Sequence, residues 1–188
     1  KQLLKEGHVV YSLDNYDTGS AENHIDGCKY IVGDVELIDF NTELKVIYVD
    51  NAHNAVRKID LIYHLAALSR IQPSFENPTE TFRANSKGSL AVAEFARKRD
   101  IKVIYAGSSS RWHNPYLSPY ACFKHLGEEI FKLYKESYNL KVEICRFYNV
   151  YGPGEILDGK WGAVIGIWRE QVKLGKPITI IGDGEQRR

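Results

Sequence analysis

The sequence lacks three features, each of which would indicate a particular class of protein. No apolar run is long enough to span a bilayer, so we predict no membrane partner. The 25 basic and 24 acidic residues leave a net charge of +1, which gives no electrostatic case for binding nucleic acid. Only three cysteines occur, scattered at 28, 122 and 145, so neither a disulfide framework nor a metal site is predicted. We expect reduced thiols and a cytoplasmic location.

Methionine is also absent, and the two ends of the sequence are unusual. The opening KQLLKEGHVV is typical of the last turns of a helix closed by Gly7, and the closing GDGEQRR is typical of a loop. We therefore expect these 188 residues to be part of a longer protein. Their number fits one domain with a sizeable core, or one domain and part of another.

Apolar runs alternate with amphipathic stretches along the chain. The spacing of apolar residues predicts helices at 78–100, 118–139 and 162–175, with Ser118 capping the second and Pro119 in its first turn. The stretch 35–58 is the least clear, and 43–50 is a candidate extra strand. Predicted strands lie at 8–14, 29–34, 59–67, 101–108, 140–147 and 177–182.

Regular alternation of strand and helix predicts an α/β fold, in which helices cover both faces of a doubly wound parallel sheet. Such sheets bind ligands beyond the carboxyl ends of their strands. Asp14 ends the first predicted strand of this chain. At the end of the second strand of dinucleotide-binding folds, an acidic residue binds the adenosine ribose and disfavours a 2′-phosphate. A turn formed by Asp14 and Asn15 is the alternative interpretation.

Other strand ends carry small or polar residues. Asp34 follows the second strand, in a position to contact the adenine of a dinucleotide, and an ordinary loop carboxylate is the alternative interpretation. Ala66 and Ala67 follow the third strand, where small side chains let a ligand approach the backbone, although they also suit packing under a helix. Serines 108–110 end the fourth strand and offer hydroxyls to a substrate oxygen, or form a simple turn.

Tyr120 and Lys124 share one face of the predicted helix 118–139. A phenol is a poor base at neutral pH, but a nearby ammonium favours the phenolate and makes it usable as a general base. With a serine at the neighbouring strand end, the pair forms a candidate proton-transfer unit. From spacing alone, a pair of surface residues is an equally good interpretation.

Eight segments, in their order along almost the whole chain, carry a resemblance to the extended short-chain dehydrogenase/reductase superfamily, in its branch of NAD-dependent sugar-nucleotide epimerases and dehydratases. The resemblance implies a Rossmann-type NAD-binding domain over 1–147 and the start of a substrate-binding domain over 148–188. It also implies that the glycine-rich phosphate loop and first strand precede residue 1, so these residues alone should bind NAD poorly. The matching segments are LDNYDTG, VGDV, IYHLAALSRIQPSFENP, ANSKGSLAVAEFA, VIYAGSSS, SPYACFKHLGEE, RFYNVYGPG and GKPITIIGDGEQRR.

The same resemblance implies roles for individual residues. Ser108, Tyr120 and Lys124 would be catalytic, with Ser109 as a fallback for Ser108. Ser109, Asn149 and Arg188 would contact the substrate, Arg188 through the diphosphate. The residues implied in NAD binding are Asp14, Asn15, Asp34, Val35, Leu65, Ala66, Ala67, Ser69, Asn85, Tyr120, Lys124 and Phe147.

The residues after Ser108 favour one reaction within this superfamily. Relatives that eliminate water carry an Asp-Glu pair there and decarboxylating relatives carry a Glu, whereas this sequence has Ser109 and Ser110. We therefore expect an epimerase acting on a nucleotide-diphosphate sugar through a 4-keto intermediate. A dehydratase or reductase, and a non-catalytic dinucleotide-binding module, are the alternatives. The resemblance further implies a homodimer packed through helices 78–100 and 118–139.

The loop between Ser108 and Tyr120 departs from the superfamily pattern, because only 11 residues separate the two. Relatives usually have a longer loop here, often with a Tyr-Gly pair. Since this loop borders the sugar site, the sequence leaves the identity of the sugar open.

Overall fold

The computed structural model describes residues 1–40, 58–157, 159–180 and 182–185. The candidate strand at 43–50 lies outside these ranges. Five strands are present in the described ranges, and every pairing between them is parallel. They form two ladders, β1–β2 and β3–β4–β5. The strand bounds are β1 Tyr11–Asp14, β2 Lys29–Val32, β3 Leu61–His64, β4 Lys102–Ser108 and β5 Val142–Phe147.

Helices connect β3 to β4 and β4 to β5, as an α/β fold requires, and the predicted fold class is confirmed. None of the helices in the described part of the chain has the length and apolar content needed to cross a membrane. The helix bounds are α1 Gln2–Lys5, α2 Ile71–Glu76, α3 Pro78–Phe82, α4 Gly88–Arg97, α5 Pro119–Tyr138 and α6 Val164–Lys173.

One π-helical turn, Arg83–Lys87, joins α3 to α4, so the predicted helix 78–100 is continuous but irregular. A π turn holds one residue more than an α turn and often occurs at a functional site. It buries Asn85 and Ser86, while α4 buries Val92 and Phe95 in the core. The extra residue therefore shifts by one the sequence positions that face inward after the turn.

Helix α5 follows the sequence prediction closely. The Ser118 hydroxyl accepts a hydrogen bond from the Ala121 N–H at 3.1 Å, and Pro119 occupies the first position. The helix ends at Tyr138 because Asn139 takes a left-handed conformation with φ of 56°. This helix crosses the β3–β4–β5 ladder and packs beside α4.

The core lies between that ladder and helices α4 and α5. Large side chains that are almost fully buried hold the layers together by removing apolar surface from water. They are Val92, Phe95, Ile101, Val103, Tyr105, Phe131 and Val142.

Two predictions need correction. The strand expected at 177–182 is not observed in the part of that stretch that the structure describes, 177–180 and 182. Instead, helix α6 binds the backbone of Thr179: Gln171 Oε1 accepts from the Thr179 N–H at 3.0 Å, and Trp168 Nε1 donates to its carbonyl at 2.7 Å. Side chains thus satisfy the groups that a neighbouring strand would bind. Helix α2 was not predicted.

The chain divides into two compact units, residues 1–148 and residues 149–188. This boundary lies one residue beyond the predicted one at 147. The first unit contains both ladders, and the second contains α6. The assignment of the units to NAD and to substrate stays a prediction.

Candidate active site

Ser108 and Tyr120 meet at the carboxyl end of β4. The Tyr120 hydroxyl donates to Ser108 Oγ at 3.4 Å, which is near the outer limit of a hydrogen bond. Ser108 Oγ also accepts from the Ser110 hydroxyl at 2.9 Å and from the Ser110 N–H at 3.2 Å. A hydroxyl oxygen has two lone pairs, so these three donors compete for Ser108 Oγ, which lies at the centre of the cluster.

Lys124 lies one turn after Tyr120 on α5, and its side chain also points toward β4. Its Nζ donates to the Ala106 carbonyl at 2.6 Å and lies 4.6 Å from the centre of the Tyr105 ring. Burial lowers the pKa of Lys124 to about 8, although the negative charge of Glu128 opposes this effect. A group with that pKa is still mainly protonated at neutral pH, so Lys124 carries its charge one helical turn after Tyr120.

A buried polar chain lies beneath these residues. His64, at the end of β3, is 3% exposed, and both burial and the charge of Lys124 lower its pKa to about 3. The Ser89 hydroxyl donates to the Asn85 carbonyl at 2.7 Å, so its oxygen accepts from His64 Nε2 at 3.1 Å. His64 is therefore a neutral imidazole with its proton on Nε2.

Asn85 holds the loop that follows β3. Its Oδ1 accepts from the Leu68 N–H at 2.8 Å, and its Nδ2 donates to the Leu68 carbonyl at 3.0 Å. This pair of hydrogen bonds fixes the segment 65–69, in which Leu65, Ala66 and Ser69 are exposed and Ala67 is half-buried. Asn85 thus shapes the predicted cofactor loop from behind.

Asp14 and Asn15 form a tight turn after β1. Asp14 Oδ1 accepts from the Tyr16 N–H at 2.8 Å, and Asn15 Oδ1 accepts from the Asp17 N–H at 3.1 Å. Asp14 also lines a cavity of 260 Å³ together with Gly19 and the stacked rings of His24 and Tyr30. The turn interpretation is therefore observed, and the same turn aims a carboxylate at an open cavity.

Asp34 and Val35 follow the second strand of the first ladder. Asp34 Oδ1 accepts from the Glu36 N–H at 3.0 Å, and Asp34 Oδ2 lies 3.6 Å from the Arg83 guanidinium. The Val35 side chain packs over Gly88, where an added Cβ would approach it to 2.7 Å. Arg83 also forms an ion pair with Glu36, so the turn after β2 is tied to the π turn.

The remaining predicted residues are spread over both units. Phe147 is the last residue of β5, stands beside Ser108 in the ladder and is 46% exposed. Ser109 begins the short turn of 3₁₀ helix that follows β4 and is half-buried. Asn149 belongs to the second unit and is exposed. Arg188 lies outside the described residues.

Glu128 follows Lys124 by one further turn and was not predicted as a site residue. Its side chain is only 1% exposed and binds three cations: Arg111 at 3.2 Å, Lys132 at 3.0 Å and Arg146 at 2.6 Å. Burial raises the pKa of Glu128, but the hydrogen bonds from Arg146 and Lys132 outweigh it and bring the pKa to about 2. The signal was the spacing of 120, 124 and 128, which places all three on one helical face.

Comparison with known proteins identifies the family. The pattern of the NAD dependent epimerase/dehydratase family matches residues 1–188, so the chain belongs to that family. A UDP-glucose 4-epimerase from Mycolicibacterium smegmatis is 30% identical over 207 residues, covering 100% of this chain and 62% of that protein. A UDP-N-acetyl-alpha-D-glucosaminuronate decarboxylase from Bacillus cytotoxicus is 27% identical over 205 residues, covering 100% of this chain and 61% of that protein.

A solved structure confirms the Rossmann-type fold. The UDP-glucose 4-epimerase of Thermus thermophilus, in complex with NAD, superposes with a TM-score of 0.75 at 27% identity. The match covers 94% of this chain and 58% of that one. The chain therefore spans about three fifths of the length of these relatives.

Proposed function

We propose that the protein is an NAD-dependent epimerase that inverts C4 of a nucleotide-diphosphate sugar through a 4-keto intermediate. The observation that carries the proposal is the convergence of Tyr120, Ser108 and Lys124 at the carboxyl end of β4. Such an arrangement suits removal of a proton from a secondary alcohol. The family match and the epimerase relative at 30% identity support this reaction class.

Each of the three side chains has a separate task in this scheme. The Tyr120 oxygen takes the proton of the C4 hydroxyl and later returns it. The Ser108 hydroxyl holds the sugar O4 by a hydrogen bond. The Lys124 ammonium stabilises the phenolate through its charge, and burial strengthens that interaction because the local dielectric is low. NAD, when bound, supplies reversible acceptance of the C4 hydrogen as hydride.

The described residues fit NAD. Asp14 presents a carboxylate to a cavity of 260 Å³, which suits the two hydroxyls of an adenosine ribose and disfavours a 2′-phosphate. Exposed Ala66, held in place through Asn85, leaves the backbone after β3 open to close approach. Lys124 has ammonium protons beyond the one given to Ala106, and these suit the nicotinamide ribose.

A decarboxylase is the second candidate, because the Bacillus cytotoxicus relative is 27% identical. The turn after β4 argues against it, since its first positions are Ser109 and Ser110, which have no carboxyl group. Glu128 binds the same turn through Arg111, but a pKa of about 2 keeps it ionised and unsuited to donate a proton. The same reasoning disfavours a dehydratase, which needs both an acid and a base.

The experiment is a product assay with the full-length protein, NAD and a panel of UDP-, GDP- and dTDP-sugars, read by mass spectrometry and NMR. An epimerase gives a product of unchanged mass with inverted C4, whereas loss of water or carbon dioxide, or net reduction of NAD, identifies the alternatives. Tyr120→Phe should abolish turnover and leave NAD bound, while the exposed Tyr138→Phe on the same helix should be active. Full activity in Tyr120→Phe would refute the mechanism, and bound NAD without turnover in the natural protein would indicate a non-catalytic module.

A homodimer completes the proposal. Helices α4 and α5 pack side by side yet expose large apolar residues, among them Leu90 at 43%, Leu126 at 40% and Leu133 at 56%. A second copy would cover them in a four-helix arrangement. Sedimentation velocity should then show a dimer that Leu133→Glu dissociates, and a natural protein that sediments as a monomer would exclude the arrangement.

A cytoplasmic location also belongs to this proposal. It rests on the three cysteines, Cys28, Cys122 and Cys145, all of which are free thiols in the structure. Cell fractionation with a marker for the cytoplasm tests it, and recovery outside that fraction would refute it.

A further inference from the structure

The Glu128 carboxylate joins three segments that carry candidate site residues. Arg111 belongs to the turn that follows Ser108, Arg146 belongs to β5 one residue before Phe147, and Glu128 itself follows Tyr120 and Lys124 on α5. We propose that Glu128 is a positioning residue, which holds the Ser108 turn and the end of β5 in register with Tyr120 and Lys124. The inference rests on the proposed epimerase function.

The geometry of the carboxylate explains why one residue serves all three segments. Arg146 binds it with two nitrogens, Nε to Oε2 at 3.0 Å and Nη2 to Oε1 at 2.6 Å. Such paired contacts from a planar guanidinium fix direction as well as distance. The remaining contacts, from Arg111 and Lys132, both reach Oε1. Because the carboxylate is only 1% exposed, water competes little for these bonds.

The turn after Ser108 depends on this anchor. Arg111 Nε reaches Glu128 at 3.2 Å, and the neighbouring Trp112 ring lies 5.1 Å from the Arg146 guanidinium carbon. Both contacts bring the turn to the same pair of residues, Glu128 and Arg146. Since the Tyr120 to Ser108 contact is already 3.4 Å long, a displacement of a few tenths of an ångström in the turn would break it.

Glu128 also acts on the charge of Lys124. The titratable groups that interact with Lys124 are Tyr105 on β4, His64 on β3 and Glu128 on its own helix, and Tyr120 lies one turn before it. His64 is neutral because its pKa is lowered to about 3, and burial raises the pKa of Tyr105 so that it also stays neutral. Glu128 is thus the anion of this group, and it favours the protonated lysine that the phenolate needs.

The test compares Glu128→Gln with Glu129→Gln in the full-length protein. Glu129 is a matched control because it too contacts Arg111 and Lys132, at 3.5 Å and 3.0 Å, but is 43% exposed. The glutamine at 128 keeps the volume, and the three cations are each about a third exposed, so water can solvate them and we expect a folded protein.

Activity should fall at high pH as Lys124 loses its proton. In Glu128→Gln the alkaline limb of the kcat profile should move to lower pH by about one unit, because an anion that favours the ammonium is gone. We also expect kcat at neutral pH to fall about tenfold and amide hydrogen exchange in 109–112 to quicken. Glu129→Gln should match the natural protein in all three readings.

Arg111→Ala separates positioning from charge. It frees the turn but leaves Glu128 ionised beside Arg146 and Lys132, so kcat should fall while the alkaline limb stays in place. If Glu128→Gln does not fold, the kcat of Arg111→Ala tests the positioning role on its own.

The inference is overturned if Glu128→Gln keeps the kcat, the pH profile or the exchange rates of Glu129→Gln, or if Arg111→Ala keeps the natural kcat. If the natural protein does not interconvert nucleotide sugars, the proposed function fails separately. Hydrogen exchange in 109–112 then decides alone, and unchanged rates in Glu128→Gln and Arg111→Ala refute the positioning role.

Discussion

Replacing Lys124 by methionine measures how much the burial of the lysine charge lowers the free energy of unfolding. Lys124 is 6% exposed, and burial lowers its pKa from an ordinary 10.5 to about 8, after the opposing effect of Glu128. At about 1.36 kcal/mol for each pKa unit, the charged form is disfavoured in the folded protein by about 3 kcal/mol. Methionine fills a similar volume without carrying the charge.

The sign of the pH dependence follows from the direction of the change. The folded protein holds the Lys124 proton less tightly than the unfolded chain, so the unfolded chain binds more protons between pH values of about 8 and 10.5. The free energy of unfolding contributed by this group therefore rises with pH through that window. Relative to Lys124→Met, the natural protein should gain about 2–3 kcal/mol between about pH 7 and about pH 10.

The assay is denaturant unfolding, followed by circular dichroism at a series of pH values, on the natural protein and on Lys124→Met. Lys135→Met is the control because Lys135 is exposed on the same helix, and its curve should run parallel to that of the natural protein. Subtracting the curve of Lys124→Met from that of the natural protein removes the titration of all other groups. A difference between Lys124→Met and the natural protein that does not change with pH would refute the reasoning.

Three further predictions concern the buried groups around Lys124. Asn85→Ala leaves the Leu68 N–H and carbonyl without their partner and should lower the free energy of unfolding by about 1–3 kcal/mol; unchanged denaturant curves would contradict this. Gly127→Ala places a Cβ 2.5 Å from the Tyr105 hydroxyl, and overpacking should cost about 1–3 kcal/mol, so an unaltered Tm would speak against the geometry. The pKa of His64 is lowered to about 3, so the stability contributed by its neutral form is complete above about pH 6.5 and is lost as the pH falls toward 3. His64→Gln lacks this loss and should therefore unfold at lower pH than the natural protein. Identical acid unfolding transitions in the two proteins would rule this out.

Much of the fold was accessible from the sequence, because alternating apolar runs and helical spacing report local structure directly. Helix α5 is the best example: the Ser118 cap and Pro119 were predicted where the structure has them. The prediction of a strand at 177–182 was wrong because a local pattern does not report tertiary partners. Its apolar pattern indicates an extended segment but not its partner, and here Gln171 and Trp168 bind the backbone of Thr179.

The site was accessible only in part. Spacing places Tyr120 and Lys124 on one face of a helix, and the structure directs both toward β4, although their roles stay predictions. Glu128 shares that face, but a glutamate at helical spacing from lysine usually forms a surface pair. Its burial depends on Arg111 and Arg146, which approach from distant parts of the chain, and no local pattern reports such a contact.

The π turn at Arg83–Lys87 determines where the gene for this protein can lose a codon. Each α-helical residue turns the chain by about 100°, so deleting one residue at the start of α4, within 88–91, would rotate every later position of that helix by about that angle. Val92 and Phe95, each 1% exposed, would leave the interior together. Deleting one residue within the π turn instead leaves a regular α turn, because a π turn holds one residue more than an α turn. A single-codon deletion within 88–91 should therefore be more damaging than one within 83–87.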